Sequence, residues 1–156
     1  MVQTHIYRAE VQWSGSTALG YPSYRRAHSA FLPPATEGFD LSADPHFRGD
    51  PDLPNPEQLL VLAASSCQLL SFLAVAARRK VDVLRYEDDA VGEMPQDSVP
   101  LRITRIVLRP RVTVSADTDR RLVERLLLEA HEQCYISNSL TTQVTVEGAV
   151  TVSGPD

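Results

Sequence analysis

The sequence predicts an α+β fold of one domain, residues 1–156, in which antiparallel strands surround a long buried central helix. Three observations predict this class: an uninterrupted apolar segment in mid-chain, stretches of alternating polarity on both sides of it, and an amphipathic segment near the C-terminus. One domain typically takes ~100–200 residues, so the length fits. Helices segregated from a largely antiparallel sheet define the α+β class.

The N-terminal third predicts two strands and a loop. Residues 4–13 alternate in polarity and carry aromatic and β-branched side chains, which is typical of a strand. Residues 24–32 predict a second, short strand that Pro33 and Pro34 stop. The segment from there to Pro56 is rich in Pro, Asp and Gly, so we expect a long ordered loop.

The central helix has a clear start signal. Asn55 is a favoured capping residue, Pro56 fits the first helical position, and Glu57 suits the positive end of the helix dipole. Residues 59–80 are apolar nearly all round, which is typical of either a buried core helix or a membrane span. Polar residues within the run favour a core helix and no membrane: Ser65, Ser66, Gln68 and Ser71.

Strands and one more helix follow. Residues 81–94 and 101–115 have strand-like patterns, and Pro110 within the second indicates an edge position or a bulge. Residues 117–134 predict an amphipathic helix that Cys134 closes, and residues 141–152 predict a last strand.

Charge and cysteine content exclude several function classes. The net charge of −5 and the lack of a basic run argue against nucleic-acid binding. The N-terminus has no basic segment followed by an apolar one, so we expect no signal peptide and a cytoplasmic location. Thiols stay reduced there, so a disulfide between the two cysteines would be transient and catalytic. His131 and Cys134 are too few for a zinc site, and we expect no metal and no cofactor.

Cys67 is the candidate nucleophile. A free cysteine in an apolar helix is most often a packing residue, but the small side chains that precede Cys67 leave space around its sulfur. Only the thiolate is nucleophilic, and an apolar setting disfavours it, so a reactive Cys67 needs a nearby cation. Arg25 and Arg26 are the candidates, and Glu57 is a carboxylate that could orient the guanidinium.

Glu57 and Cys67 are ten residues apart in the predicted helix. At 1.5 Å per residue they are separated by ~15 Å along the axis. Either the helix breaks between them, or one site takes residues from two subunits.

Three segments together resemble the OsmC/Ohr family, the osmotically inducible and organic hydroperoxide resistance proteins. They are NPEQLL at 55–60, SSC at 65–67 and HEQCYISNSL at 131–140, while YRRAH at 24–28 is similar to a segment of the OsmC-like branch. The resemblance implies an OsmC-like fold and an intertwined homodimer with active sites at the subunit interface.

The resemblance also implies a reaction. Members of the family reduce organic hydroperoxides with two cysteines, an arginine and a glutamate, which match Cys67, Cys134, Arg26 and Glu57; Arg25 stays an alternative to Arg26. Cys67 would become a sulfenic acid, Cys134 would resolve it to a disulfide, and an external dithiol of lipoyl type would restore both thiols. Hydrogen peroxide is a further candidate substrate. Gln68 stands where many relatives have histidine, a departure that we expect to tune the pocket.

A second function class stays open at this point. The chain could be a stress-related OsmC-like protein that binds a partner or senses redox state without catalysis. Loss of both thiols on treatment with an organic peroxide would favour the enzyme.

Overall fold

A computed structural model describes residues 2–154 and confirms the α+β class. The described chain forms two compact units, which meet in the sequence between Leu59 and Leu60. The assignment of one domain stays a prediction, and each unit is described by itself below.

The N-terminal unit contains a three-stranded antiparallel sheet in the order β1–β2–β3. Its strands are β1 (Glu10–Gln12), β2 (His28–Phe31) and β3 (Phe39–Leu41). Both predicted strands are therefore too long. The expected loop was also partly wrong, because it contains β3 and a 3-10 helix at Pro45–Phe47. Elements of three residues are too short to show a period in the sequence.

The central helix α1 (Pro56–Arg78) begins and ends on identifiable signals. Asn55 Oδ1 accepts the Gln58 N–H at 2.9 Å, and Gln58 Oε1 accepts the Asn55 N–H at 3.0 Å, which is a capping box. At the other end Lys80 has a φ of 57°, and the Val81 N–H reaches back to the Ala76 carbonyl at 3.0 Å. This left-handed C-terminal motif ends α1 two residues before the predicted boundary.

The C-terminal unit holds two three-stranded sheets, in the orders β4–β7–β9 and β5–β6–β8. The β4–β7 and β5–β6 pairs are antiparallel, while β6–β8 and β7–β9 are parallel. The bounds of these strands are β4 Val83–Asp88, β5 Val91–Glu93, β6 Arg105–Leu108, β7 Pro110–Val114, β8 Gln143–Val146 and β9 Ala149–Val152.

Each strand predicted in this half is in fact two strands, one for each sheet. Residues 101–115, for example, divide at Arg109 into β6 and β7. Pro110 is the first residue of β7, a central strand, so the expected edge position or bulge at Pro110 was wrong. A strand tolerates proline at its first residue because no ladder hydrogen bond from that position is needed.

Two helices follow the β7 strand. The first, α2 (Arg120–Glu132), begins at Asp119, whose side chain accepts the Arg121 N–H at 2.9 Å. The second, α3 (Tyr135–Ser139), was not predicted. Cys134 therefore does not close α2 but occupies the position immediately before α3.

Helix α1 contributes to two separate apolar clusters. The first cluster joins Ala64 to buried residues in and just before β6, and to partly buried side chains in and just after α3 and in β8: Ile103, Ile106, Leu108, Ile136, Leu140, Val144 and Val146. The second cluster joins the later turns of α1 to β7, α2 and β9: Phe72, Val75, Ala76, Val112, Val114, Val123, Leu126, Leu127, Ala130 and Val150. The part of α1 between Ala64 and Phe72 forms the boundary between the two clusters.

The opposite face of α1 is exposed in the single chain. Leu62 and Leu70 keep 60% and 64% of their surface exposed, and Leu73 keeps 39%. By length and composition α1 could cross a membrane, as the one such helix within residues 2–154, but core helices of water-soluble proteins pass the same test.

Candidate functional site

Cys67 lies on α1 at the boundary between the two clusters and is partly exposed. Its Sγ accepts a hydrogen bond from the backbone N–H of Ile136 at 3.5 Å. The residue before Ile136 is Tyr135, the first residue of α3. The unpredicted helix therefore contacts the candidate nucleophile directly.

Cys134 lies beside Cys67, and both are free cysteines. Burial is complete for Cys134 and is the main cause that raises the pKa of its thiol. Hydrogen bonds from Ser137, including one from Oγ at 3.2 Å, oppose that rise, while a hydrogen bond with Cys67 and the Cys67 charge add to it. Because the pKa is raised, Cys134 is held as a protonated thiol at neutral pH.

A cavity of about 250 Å³ leads to Cys67. Its other lining residues come from α1 and from the segment around Cys134: Leu70, Ser71, Ala74, Arg78, Gln133 and Tyr135. Cys134 itself does not line it. The two thiols thus differ in access, because a small molecule in the cavity meets Cys67 first.

Gln68 is fully buried and connects α1 to α2. Its Nε2 donates to the Leu127 carbonyl at 2.9 Å, while Oε1 has no partner among the described residues. Gln68 therefore holds α1 against α2 immediately next to Cys67.

Ser65 and Asp88 form a contact that the sequence did not indicate. Ser65 Oγ donates to Asp88 Oδ2 at 2.5 Å, and the other oxygen of Asp88 accepts the backbone N–H of Arg109 at 2.6 Å. Asp88 thereby joins the α1 turn before Cys67 to the point where β6 passes into β7. The sequence marks Ser65 as a small, polar residue of the helix but does not predict this contact, since its partner is 23 residues away.

Tyr86 is a second residue that the sequence did not single out. Its ring packs on Phe72 with centroids 5.8 Å apart, and its hydroxyl is buried without a hydrogen-bond partner in residues 2–154. Burial, followed by the charge of Asp88 and by that of Cys134 once its thiol is ionised at high pH, raises the pKa of this phenol. A neutral hydroxyl therefore lies near the buried thiol.

Arg26 lies in the N-terminal unit, stacked between two tyrosine rings. Its guanidinium carbon is 4.6 Å from the Tyr21 ring centroid and 4.1 Å from that of Tyr24. Its two terminal nitrogens donate to the Tyr21 and Tyr24 carbonyls at 2.8 and 2.9 Å. Arg26 and His28 line a cavity of about 370 Å³. Within residues 2–154, no carboxylate lies within 4 Å of Arg26.

Glu57 lies in the first turn of α1. Its Oε2 atom is buried and has no hydrogen-bond partner in the described part of the chain. Helix α1 is unbroken from Pro56 to Arg78, so the alternative in which the helix breaks between Glu57 and Cys67 is excluded. Among residues 2–154, no three His, Cys, Asp or Glu side chains cluster as ligands of a metal would.

The fold and the thiol pair define a class, that of α+β proteins in which a long central helix carries an accessible cysteine and a second, buried cysteine lies beside it. A family model described as OsmC-like protein matches residues 49–148, and the chain belongs to that family. No curated protein matches the chain significantly in sequence.

Solved structures extend the likeness over nearly the whole chain. An OsmC-like protein of unknown function from Vibrio cholerae is 31% identical, with a TM-score of 0.84 over 94% of this chain and 100% of that one. An organic hydroperoxide resistance protein from Legionella pneumophila is 18% identical, with a TM-score of 0.69 over 97% and 100% of the two chains. One from Elizabethkingia anophelis is 15% identical, with a TM-score of 0.70 over 98% and 100%. At these lower identities the likeness shows the fold alone.

Proposed function

We propose that this protein is a cysteine-based peroxidase that reduces organic hydroperoxides in the cytoplasm. One observation carries the proposal: Cys67 opens onto a cavity, while Cys134 is buried beside it and held as a thiol. A peroxide therefore meets a nucleophile with a resolving thiol already in place. Family membership supports the same reaction, since related folds include proteins named for organic hydroperoxide resistance.

The reaction proceeds in three steps. The Cys67 thiolate attacks the distal peroxide oxygen, the O–O bond breaks, and the alkoxide takes up a proton and leaves as an alcohol. Cys134 then attacks the sulfur of the Cys67 sulfenic acid, so that an S–S bond forms and water leaves with the Cys134 proton. An external dithiol, which we propose to be of lipoyl type, supplies two electrons and two protons and restores both thiols.

Arg26 and Glu57 complete the site in this proposal. Arg26 stabilises the Cys67 thiolate and binds the peroxide, and Glu57 orients Arg26. Two facts support a pairing that involves a second copy of the chain: the Glu57 Oε2 is buried and unpartnered, and Arg26 has no carboxylate near it within the described chain. The guanidinium has five N–H donors, so donors remain after its bonds to the tyrosine carbonyls.

A homodimer is part of the proposal. The exposed face of α1, with Leu62 and Leu73, is an apolar surface that a second copy would cover. The N-terminal unit also exposes large apolar side chains, and within residues 2–59 the buried hydrophobic side chains are those of Ala30 and Leu41. A second copy would supply the core that this unit lacks.

Thiol counting tests the proposal. One equivalent of cumene hydroperoxide should remove both thiols from each reduced chain, and a dithiol should then sustain turnover. If both thiols are lost but no lipoyl, thioredoxin or glutathione reducing system sustains peroxide turnover, the redox-sensor alternative would be favoured. Retention of both thiols would contradict the peroxidase.

A further inference from the structure

Ser137 contacts the candidate resolving thiol and has no role in the mechanism proposed above. Its Oγ donates a hydrogen bond to the Sγ of Cys134 at 3.2 Å. Cys134 is fully buried, so little water competes for that sulfur. The residue before Ser137, Ile136, donates its backbone N–H to the Sγ of Cys67 at 3.5 Å. Two consecutive residues of α3 therefore contact one sulfur each.

Ser137 differs from the other serine of α3. Ser139 Oγ donates to the carbonyl of Tyr135, four residues before it, at 2.7 Å. This local bond is usual for a serine in a helix. The hydroxyl of Ser137 donates to a sulfur instead. Helix formation alone would account for the bond of Ser139 but not for that of Ser137.

Asn138 holds this turn of α3 in place. Its backbone N–H donates to the carbonyl of Cys134 at 3.0 Å, and its Nδ2 donates to the carbonyl of Glu132 at 3.0 Å. Glu132 is the last residue of α2, so the two bonds join the start of α3 to the end of α2. The hydroxyl of Ser137 is therefore in position before any reaction, and a donor fixed in advance needs little reorganisation when charge develops.

The other groups around Cys134 disfavour its thiolate. Burial is the largest of these effects, and the neighbouring Cys67 on α1 adds to it. Tyr86, on β4, also lies near Cys134, and its phenol carries no positive charge. The hydrogen bonds from Ser137 act in the opposite direction and favour the thiolate. The attack on a sulfenic acid needs that thiolate, so the contact with Ser137 favours the reactive form of the resolving thiol.

We infer that Ser137 is a further catalytic residue, whose hydroxyl donates a hydrogen bond to the Cys134 thiolate as this thiolate attacks the Cys67 sulfenic acid. The inference rests on the proposed function and deepens it. In this step Cys134 supplies two electrons to the Cys67 sulfur, the S–S bond forms and the S–O bond breaks. The hydroxide that leaves combines with the proton that Cys134 has released, which gives water. A serine hydroxyl fits both states of Cys134, because it can accept from a thiol and donate to a thiolate.

The same contact acts again when the disulfide is reduced. An external dithiol enters by the cavity, which Cys67 lines and Cys134 does not, so it attacks the Cys67 sulfur. A mixed disulfide with Cys67 forms, and Cys134 leaves as the thiolate. Exchange is faster when the leaving thiolate is stabilised, so the hydroxyl of Ser137 assists this step as well. The first step, the attack of Cys67 on the peroxide, does not involve Ser137.

Single-turnover kinetics test the inference in the full-length protein. The rates of sulfenic acid formation with cumene hydroperoxide, of disulfide formation, and of reduction by dihydrolipoic acid are measured separately. The variants are Ser137→Ala, Ser137→Thr, which keeps a hydroxyl, and Ser139→Ala as the matched control. We expect both disulfide steps to be roughly tenfold slower in Ser137→Ala, at the low end for a hydrogen bond to a charged group because sulfur is a weak acceptor.

The pattern among the variants separates catalysis from a structural fault. Sulfenic acid should form at the wild-type rate in all three, and the disulfide steps should be largely kept in Ser137→Thr and unchanged in Ser139→Ala. The rate of disulfide formation rises with pH as Cys134 loses its proton, and this rise should move to higher pH in Ser137→Ala. A structural fault would slow the step without moving its pH dependence.

A second measurement needs no peroxide. In the Cys67→Ser protein Cys134 is the one cysteine, and the ¹³C shift of its labelled Cβ reports its pKa. Adding Ser137→Ala should raise this pKa by about one unit, which matches the tenfold effect on rate. Equal rates and an equal pKa with and without the hydroxyl would overturn the inference and leave the peroxidase intact. A raised pKa without any oxidation of Cys67 by the hydroperoxide would overturn the peroxidase and the catalytic role of Ser137 with it.

Discussion

The backbone N–H of Ile136 donates a hydrogen bond to the Sγ of Cys67 at 3.5 Å. Ile136 follows Cys134 by two residues, so one short segment supplies both the contact to the nucleophile and the candidate resolving thiol. A disulfide requires Cα atoms within ~7 Å, and the hydrogen bond keeps the segment close to α1. The structure thus supports a reaction in which the Cys134 thiol already lies beside Cys67 before Cys67 is oxidised.

The first prediction is the order in which the two thiols react, which follows from the access of Cys67, but not of Cys134, to the cavity. Cys67→Ser should abolish peroxide consumption, while Cys134→Ser should consume about one equivalent and stall, because attack needs only the thiol that faces the cavity. Stopped-flow peroxide consumption and mass spectrometry of the sulfenic acid measure both. Reactivity that persists in Cys67→Ser and is lost in Cys134→Ser would reverse the roles.

The second prediction concerns the activating cation. Arg26→Met should slow the reaction of Cys67 with hydroperoxide by roughly 10- to 100-fold, the loss of a hydrogen bond to a charged group of ~1.5–3 kcal/mol. Arg25→Met is the matched control, and its rate should stay near that of the wild type. Circular dichroism should show that both variants fold. The opposite pattern would move the role to Arg25, and no effect in either would remove the activation scheme.

The third prediction tests the shared site. Glu57 and Cys67 lie at positions ten residues apart on one unbroken helix, ~15 Å along its axis. A Cys67→Ser chain mixed with a Glu57→Ala chain should therefore recover activity after subunit exchange. Random exchange makes half of the dimers mixed, and each mixed dimer has one intact site, so about a quarter of the wild-type activity should return.

Exchange is verified by native mass spectrometry of differently tagged chains. Mixed dimers that stay inactive would mean that each site is built within one chain.

The fourth prediction follows from the raised pKa of Cys134. The unfolded thiol loses its proton near pH ~8.5, while the buried thiol keeps its own to higher pH, so the folded state binds more protons between these values. The free energy of unfolding should therefore fall as the pH rises above ~8.5, by up to ~1.4 kcal/mol per pH unit for one proton.

Urea unfolding under reducing conditions between pH 7.5 and 9.5 measures this slope, and Cys134→Ala should make it shallower. Tyr86 also has a raised pKa, but a phenol ordinarily titrates higher, so its contribution should begin above that range. An identical slope in both proteins would contradict the assignment to Cys134.

Local signals predicted the features that depend on neighbouring residues. Asn55 and Pro56 start the central helix as expected, because a cap and a helix-compatible proline act within one turn. The resemblance to the family also predicted that Cys67 and Cys134 act together, and the structure brings these two cysteines into contact.

Features that depend on distant residues were not predictable in this way. An alternating pattern marks a strand but not the sheet to which it belongs, so the division at Arg109 into two sheets was missed. The contact of Ser65 with Asp88 and the burial of Tyr86 near Cys134 also depend on tertiary packing. Helix α3, at Tyr135–Ser139, is too short for a helical period to be visible.

The buried amide of Gln68 has a consequence for how the protein responds to acid. An amide neither gains nor loses a proton in the physiological range, whereas an imidazole changes charge near pH ~6.5. The hydrogen bond from Gln68 to Leu127 thus keeps the same strength and direction when the surroundings acidify. The contact between α1 and α2 next to Cys67 should therefore be the same in an acidified cell as at neutral pH.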